Sequence, residues 1–177
     1  MSYLQMMQLR KSLTLCAIAS LMAGCATPVF QPVPADYNGP TAFLSDHCVS
    51  ESSGMAQLYT AGYIDGKLIA NSFGLSDKAS YNKGFALTVD CQLRRVPAQP
   101  MKVTLVAGTM TPSLAQVFYY MAQGSYVDPF HVDVDFTPIA NHNYVVTGTL
   151  SKAQSTVWIE DEDTHEVMTK KVSSDSK

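Results

Sequence analysis

Short apolar segments that alternate with polar residues recur along most of this chain of 177 residues, and turn residues separate them. The clearest are residues 131–136, where Val132, Val134 and Phe136 share one face, and residues 144–150. A period of two residues is typical of β-strands that bury one face. Short strands at this spacing predict a mainly β fold. We expect a β-sandwich of about seven to nine strands, with a partly closed β-barrel as the alternative.

Turn residues mark the ends of several predicted strands. The pair Asp65-Gly66 lies between two apolar runs and predicts a tight β-hairpin, since both residues tolerate a positive φ. Residues 71–83 are small and polar and predict a long loop. Residues 85–96 alternate and predict a strand, and residues 166–171 predict another.

One segment has the period of a helix instead. Thr111 in front of it predicts the N-cap, and Gly124 behind it predicts the C-terminal stop. We therefore predict one short helix over residues 113–123, with a strand as the alternative because the aromatic run at residues 118–120 favours a sheet. The apolar residues at positions i, i+3, i+4 and i+7 are Leu114, Val117, Phe118 and Met121.

The front of the chain has the layout of an export signal. The basic pair Arg10-Lys11 precedes an uncharged apolar run over residues 13–23, which is shorter than the roughly 20 apolar residues that a spanning helix needs. The run ends in Leu-Met-Ala-Gly-Cys at residues 21–25, which resembles the lipobox of bacterial lipoproteins. The alternatives are an ordinary signal peptide and a buried helix with a chance cysteine.

The lipobox resemblance implies an order of segments. Residues 1–24 would be a signal peptide that is removed, and Cys25 would carry the lipid. Residues 25–39, rich in proline, would form a tether, followed by a β domain over residues 40–172 and a disordered tail over residues 173–177. Ala26 after the cysteine implies an outer-membrane lipoprotein that faces the periplasm.

The charge balance restricts the partners. Loss of Arg10 and Lys11 with the signal leaves ten basic and 15 acidic residues, a formal charge of −5. The sequence contains no basic stripe, which argues against nucleic acid as a partner. Only 15% of the residues are charged, against about 25% in typical soluble domains. We expect either a large core or an apolar surface that faces a partner or the membrane.

The cysteines divide into two groups. Cys16 would leave with the signal peptide and Cys25 would take the lipid, so Cys48 and Cys91 remain. In an oxidising compartment, one remaining pair predicts a disulfide. The alternative is two reduced cysteines, buried separately.

The search for an active site returns few candidates. His131, Asp133 and Asp135 share one face of a predicted strand and are the only metal candidates. We favour a solvated outer face as their explanation and predict no metal site. The acidic residues 160–166 lack the spacing of a calcium loop and predict a solvated turn. The sequence contains no GxSxG, HExxH, P-loop or GxGxxG motif. We therefore expect no enzymatic activity and no cofactor.

An uncharged aromatic segment is the best candidate for a binding surface. Its residues are Phe118, Tyr119, Tyr120 and Tyr126. Aromatic residues are enriched in protein interfaces and charged residues are depleted from interface cores. The leading hypothesis is a non-catalytic interaction or scaffold module with a protein partner in the cell envelope. A small-ligand or glycan binder is the alternative, and a metal-dependent or hydrolytic enzyme is the third.

Several strand segments resemble small uncharacterised proteobacterial lipoproteins. Residues 134–138, 143–148 and 157–161 are similar to their closing strands, and residues 37–42 and 64–66 to their opening strands. The resemblance covers most of the chain after Cys25. It implies an immunoglobulin- or transthyretin-like sandwich and brings no activity.

Overall fold

The computed structural model of the protein describes residues 28–174, which form nine strands and two helices. The predicted signal peptide and Cys25, the predicted site of lipidation, lie outside the described residues. In chain order the elements are β1 (Thr41–Ser52), β2 (Met55–Ile64), β3 (Lys67–Leu68), α1 (Ser72–Ser80), β4 (Leu93–Pro97), β5 (Met101–Met110), α2 (Leu114–Gln123), β6 (Phe130–Phe136), β7 (Asn143–Thr149), β8 (Thr156–Asp161) and β9 (Val172–Ser173).

The long strand β1 joins the two halves of the sheet. Its residues 41–46 pair with β4 and, in parallel, with β7, whereas residues 47–52 pair with β2. The strand order is β6-β5-β2-β1-β7-β8-β9, with β3 beside β2 and β4 beside β1. The two halves face each other, so that Tyr59 of β2 lies against Gly148 of β7. The mainly β fold is confirmed, in the barrel-like form that the sequence left as the alternative to a sandwich.

The core lies between the two halves and follows the predicted alternation. Val134 and Phe136 of β6 point inward, as do Tyr144 and Val146 of β7. Phe136 and Tyr144 meet edge to face with ring centroids 5.0 Å apart. The Asp65-Gly66 hairpin is also confirmed, because both residues have a positive φ and connect Ile64 to its partner Lys67.

The predicted loop over residues 71–83 is wrong, because residues 72–80 form α1. Its buried face consists of Ser72, Ser76 and Ser80, which we call the serine face. A polar face gives no hydrophobic period, and so the sequence pattern did not indicate a helix. Asn71 caps the helix by accepting the Gly74 N–H at 3.1 Å.

The predicted strand over residues 85–96 is shorter than expected, because β4 begins only at Leu93. The alternating residues before it bond to the serine face. Ser80, Ser76 and Ser72 accept the N–H groups of Thr88, Asp90 and Gln92, each at 2.9 Å. Four helical residues rise about 6 Å and two extended residues about 6.6 Å. The spacing of the serines along α1 therefore matches the spacing of the N–H groups along residues 88–92. Helix α1 takes the place of a neighbouring strand as the hydrogen-bond partner of this extended segment.

A buried carboxylate lies at the point in β1 where pairing with β4 and β7 ends and pairing with β2 begins. Asp46 Oδ1 accepts the Ala61 N–H at 3.1 Å, and Oδ2 accepts the Ser72 hydroxyl at 2.6 Å and the Ser72 N–H at 3.0 Å. Arg94 Nη2 lies 2.7 Å from the same oxygen, and the Asp46 side chain is fully buried. Asp46 thereby satisfies donors from β2, α1 and β4 that the sheet leaves without partners.

Three smaller predictions also need correction. Ser113, and not Thr111, caps α2, because the Thr111 hydroxyl donates to the Ser113 carbonyl. Residues 166–171 contribute one isolated bridge, Val167 to Glu160, instead of a strand. Ser173 was expected in the tail and instead belongs to β9, next to Ser174, whose N–H donates to the Ser155 carbonyl at 2.8 Å.

The described part of the proline-rich segment contacts the domain. Phe30 forms an isolated parallel bridge with Ile69 and donates its N–H to the Leu68 carbonyl at 2.7 Å. Its ring packs against the core, and the Lys67 ammonium group lies 4.5 Å from the ring centroid. The chain therefore joins the domain at Phe30, before the predicted boundary at residue 40.

Candidate functional site: the outer face of α2

Helix α2 is well defined at both ends. The Ser113 side chain accepts the Gln116 N–H, and Gly124 adopts the left-handed conformation with φ 81°. The Gly124 N–H donates to the Met121 carbonyl, and the Ser125 N–H to the Tyr120 carbonyl. A helix of ten residues with both caps satisfied keeps its shape on a surface where it buries little.

Polar contacts hold α2 to the rest of the domain. The Gln116 side chain donates to the Phe85 carbonyl at 3.0 Å and to the Gly54 carbonyl at 3.5 Å. The Tyr120 hydroxyl lies 3.1 Å from the Ser52 hydroxyl. These contacts fix the side of the helix that carries Gln116 and Tyr120 against the β1–β2 connection.

The exposed surface of α2 is apolar, and we call it the outer face. Leu114, Phe118 and Met121 lie away from Gln116, whereas Tyr119 lies at the edge of this surface, three positions after Gln116. The exposed fractions are 68% for Leu114, 63% for Phe118, 57% for Tyr119 and 43% for Met121. None of the α2 residues is buried. An exposed apolar helix face is unfavourable in water, and contiguous patches of this kind mark interaction sites.

Charge is absent from the whole segment around the outer face. From Thr111 to Val127 the sequence contains no Asp, Glu, Lys or Arg. Phe85 lies beside Gln116 and is also exposed. The helix itself therefore contributes aromatic residues, methionine and leucine and no charge, which is the composition of an interface core. Lys152 and Asp128 lie at its edge, where they line a cavity together with Met121.

The sequence-predicted aromatic residues divide between this surface and two cavities. Phe118 and Tyr119 belong to the outer face, whereas Tyr120 and Tyr126 are half-buried. Tyr126 lines a cavity of about 570 Å³ that also involves Phe130 and Lys152, and a second of about 370 Å³ with Val117. Burial raises the pKa of Tyr126, and the nearby Asp128 carboxylate raises it further.

The metal candidates lie apart from this surface. His131, Asp133 and Asp135 all occupy the exposed face of β6. The Thr104 hydroxyl donates to Asp133 at 2.7 Å. Among residues 28–174, no three His, Cys, Asp or Glu side chains are grouped to hold an ion.

The acidic turn after β8 contains one buried carboxylate. Asp161 Oδ2 lies 2.8 Å from His142 Nδ1, and Oδ1 accepts the N–H groups of Asp163 and Thr164 and the Thr164 hydroxyl. These bonds lower the pKa of Asp161 to about 2, and the bond with His142 has the largest effect. The other turn residues, such as Glu162 and Asp163, are exposed. Asp161 therefore organises the turn, while its neighbours face solvent.

The disulfide prediction is confirmed. Cys48 of β1 and Cys91 are bonded, with their Cα atoms 6.0 Å apart and a separation of 43 positions in sequence. The bond joins β1 to the extended segment that lies along the serine face. It thus crosslinks the region of Asp46 and leaves the outer face unaffected.

Sequence reasoning did not single out several residues of this surface. Leu114 and Met121 were used only as evidence for the helix, and Phe85 was included in a predicted strand. The signal that could have identified them is the absence of charged residues from position 111 to position 127, within which the predicted helix lies.

Comparison with known proteins gave no match to a protein family, to a curated protein or to a solved structure. Among the described residues, no helix is both long and apolar enough to cross a bilayer.

Proposed function

We propose that the protein is a cell-envelope lipoprotein, anchored through Cys25 in the outer membrane and facing the periplasm, that acts as a non-catalytic interaction or scaffold module. The domain binds an envelope protein through the outer face of α2. The observation that carries the proposal is the exposure of Leu114, Phe118, Tyr119 and Met121 on one capped helix.

The composition of the outer face supports a protein partner over the lipid surface. Helices that lie on membranes usually carry Lys and Arg on their polar face. The polar side of α2 instead carries Gln116 and Tyr120, which are engaged with the domain. An uncharged, aromatic surface with methionine matches the core of a protein interface, and a helix can insert it into an apolar groove.

The position of the anchor supports the same partner. Phe30 joins the domain beside β3, at the end of β2 that carries Ile64. Helix α2 follows β5 at the other end, where Met110 pairs with Ala56. Eight residue steps of β2 separate these ends by about 26 Å. A domain attached at Phe30 can therefore present α2 away from the membrane that holds Cys25.

Photocrosslinking in intact cells tests this proposal. A benzophenone amino acid at position 118 should give one discrete protein adduct, which mass spectrometry identifies. The matched control is the same probe at Ile139, which is 55% exposed and lies near the start of β1, at the far end from α2. A purified preparation of that partner should then bind the Leu114→Ser/Phe118→Ser protein at least about tenfold more weakly, since two apolar anchors are lost.

Two outcomes would contradict the proposal. If the probes at positions 118 and 139 gave the same adducts in equal yield, the partner would not bind preferentially at the outer face. Adducts with lipid alone at position 118 would assign the outer face to the membrane. Replacement of Cys25 by Ser tests the anchor separately, because it should release the protein from the membrane fraction without changing the affinity of the purified domain for the partner.

A second candidate function is supported by the larger cavity beside α2. Tyr126 and Phe130 offer aromatic surfaces there, and Asp128, Ser151 and Lys152 offer polar groups. Aromatic and convergent polar groups are typical of small-ligand or glycan sites. Saturable binding of a glycan that is lost on Tyr126→Ala, with the outer face intact, would favour this function over a protein partner.

A further inference from the structure

Strand β6 lies at one end of the strand order and pairs only with β5. It is seven residues long, whereas β9 at the other end of the order has two. An edge strand presents backbone groups with which a further strand can pair. Pro129 stands directly before β6, and Pro138 follows it after one intervening residue. Proline has no N–H, so the edge that can pair is limited to β6 itself.

The register shows which backbone groups of β6 are free. The Lys102 N–H donates to Asp65 Oδ1, and the Lys102 carbonyl accepts the Asp65 N–H, so both groups point towards the end of β2 and away from β6. Lys102 is opposite Asp135. Opposite residues of an antiparallel pair alternately exchange two hydrogen bonds and none. Asp135 and, with the period of two, Asp133 and His131 therefore direct their N–H and C=O groups away from β5.

The free edge of β6 also carries unpaired negative charge. The side chains of His131, Asp133 and Asp135 are all exposed. Among residues 28–174, no cation lies within ion-pair distance of Asp133 or Asp135, and this includes Lys102 on β5. Asp133 accepts only the Thr104 hydroxyl. The same three residues therefore offer free backbone groups and, at two of them, carboxylates without a cationic partner.

The inward side of β6 is incompletely covered at its start. Val134 and Phe136 are buried, whereas Phe130 and Val132 are only partly buried against the core. A strand added at this edge would place its own inward side chains beside Phe130 and Val132 and would cover them. Since the side chains of a strand alternate between its two faces, every second residue of the added strand should be apolar.

We propose that the free edge of β6 binds an extended protein segment in which apolar and basic residues alternate. The apolar residues cover Phe130 and Val132, and the basic residues lie opposite Asp133 and Asp135. Opposite charges facing each other across two strands are favourable, and like charges are unfavourable. A second copy of β6 is therefore a poor partner, because its carboxylates would meet those of the first. This interface is separate from the outer face of α2 and does not rest on the function proposed above.

Calorimetric titration of the full chain, with Cys25→Ser to prevent lipidation, tests this edge. The probe is a synthetic peptide of the length of β6 in which valine and lysine alternate, and it should bind saturably. The same peptide with methylated backbone nitrogens at its lysines keeps every charge but cannot donate to β6, and it should not bind. A peptide with glutamate in place of lysine should also fail to bind, because it meets Asp133 and Asp135 with like charges.

Substitutions that keep the backbone test the charges. Asp133→Asn/Asp135→Asn should weaken binding of the lysine peptide about threefold to tenfold, because two exposed charge pairs are lost. Glu162→Gln/Asp163→Asn is the matched control, since it removes the same charge from the exposed acidic turn and should leave the affinity unchanged. Equal affinity of the two double variants for the peptide would overturn the proposal.

Amide exchange measured by NMR locates the bound peptide. Binding should slow exchange at the amides of His131, Asp133 and Asp135, which gain acceptors, more than at those of Val132 and Val134, which already bond to β5. Absence of saturable binding of the lysine peptide would overturn the proposal. So would equal binding of its methylated form, or slowed exchange that is confined to residues outside β6.

Discussion

The two helices of this domain have opposite relations between polarity and burial. Helix α1 buries three serines, whereas α2 exposes a leucine, a phenylalanine, a tyrosine and a methionine. The serine hydroxyls are buried because each bonds to the chain at residues 88–92. The apolar side chains of α2 have no such partner within the described residues. Hydrogen-bond partners allow α1 to bury its polar face, whereas α2 leaves an apolar surface that another molecule can cover.

The largest expected effect is the loss of the carboxylate that joins α1 to the sheet. Asp46→Ala leaves the Arg94 charge and the Ala61 and Ser72 donors buried without an acceptor. We expect the free energy of unfolding to fall by about 3–5 kcal/mol, as for other broken buried ion pairs. Urea unfolding measures the change, and Asp77→Ala on the exposed side of α1 is the control. Equal stability of the two variants would contradict the role of Asp46.

A smaller effect is expected from the middle of the serine face. Ser76→Ala leaves the partly buried Asp90 N–H without an acceptor and should reduce the free energy of unfolding by about 1 kcal/mol. A Lys78→Ala substitution in the same helix should change it little, because Lys78 is exposed. Stability unaltered by Ser76→Ala would mean that α1 is held by its other contacts.

A third polar cluster provides a test with pH. The pKa of Asp161 is lowered from 3.8 to about 2, so its ionised form stabilises the folded state above pH 3.8, and this contribution is lost as the pH falls towards 2. Asp161→Asn should therefore flatten the dependence of unfolding free energy on pH between these values. Asp163→Asn, at an exposed position, should leave this pH dependence unchanged. If the free energy of unfolding depended on pH identically in both variants, the stabilising role of ionised Asp161 would be contradicted.

The smallest effect on stability is expected at the outer face. Leu114→Ser/Phe118→Ser removes only exposed side chains and should change the free energy of unfolding by less than about 0.5 kcal/mol. Thermal unfolding measures it beside the Asp46→Ala protein. A loss of several kcal/mol would show that the outer face stabilises the fold and is not free for a partner.

The sequence predicts those parts of the fold that have a local period or a local turn. The inward face of β6, the Asp65-Gly66 turn and α2 follow from neighbouring residues. The serine face does not, because its hydrogen-bond partners lie 8 to 20 positions away. The pair of Asp46 and Arg94 is separated by 48 positions and has no local signal at all.

The candidate site was only partly predictable for a related reason. The aromatic residues at 118–120 indicated a surface by composition, but the orientation of α2 depends on Gln116 and Tyr120 bonding to distant carbonyl and hydroxyl groups. This arrangement is tertiary and has no sequence period.

Hydrogen exchange of the two helices, measured by mass spectrometry, tests the central claim most directly. In the purified protein, the amides of residues 114–123 should exchange faster than those of residues 72–80, because α2 buries none of its residues. Adding envelope membranes from the cells that express the protein should slow exchange in α2 alone, and Leu114→Ser/Phe118→Ser should abolish that slowing. Exchange in α2 that is unchanged by the membranes, or slowed equally in the substituted protein, would contradict the account.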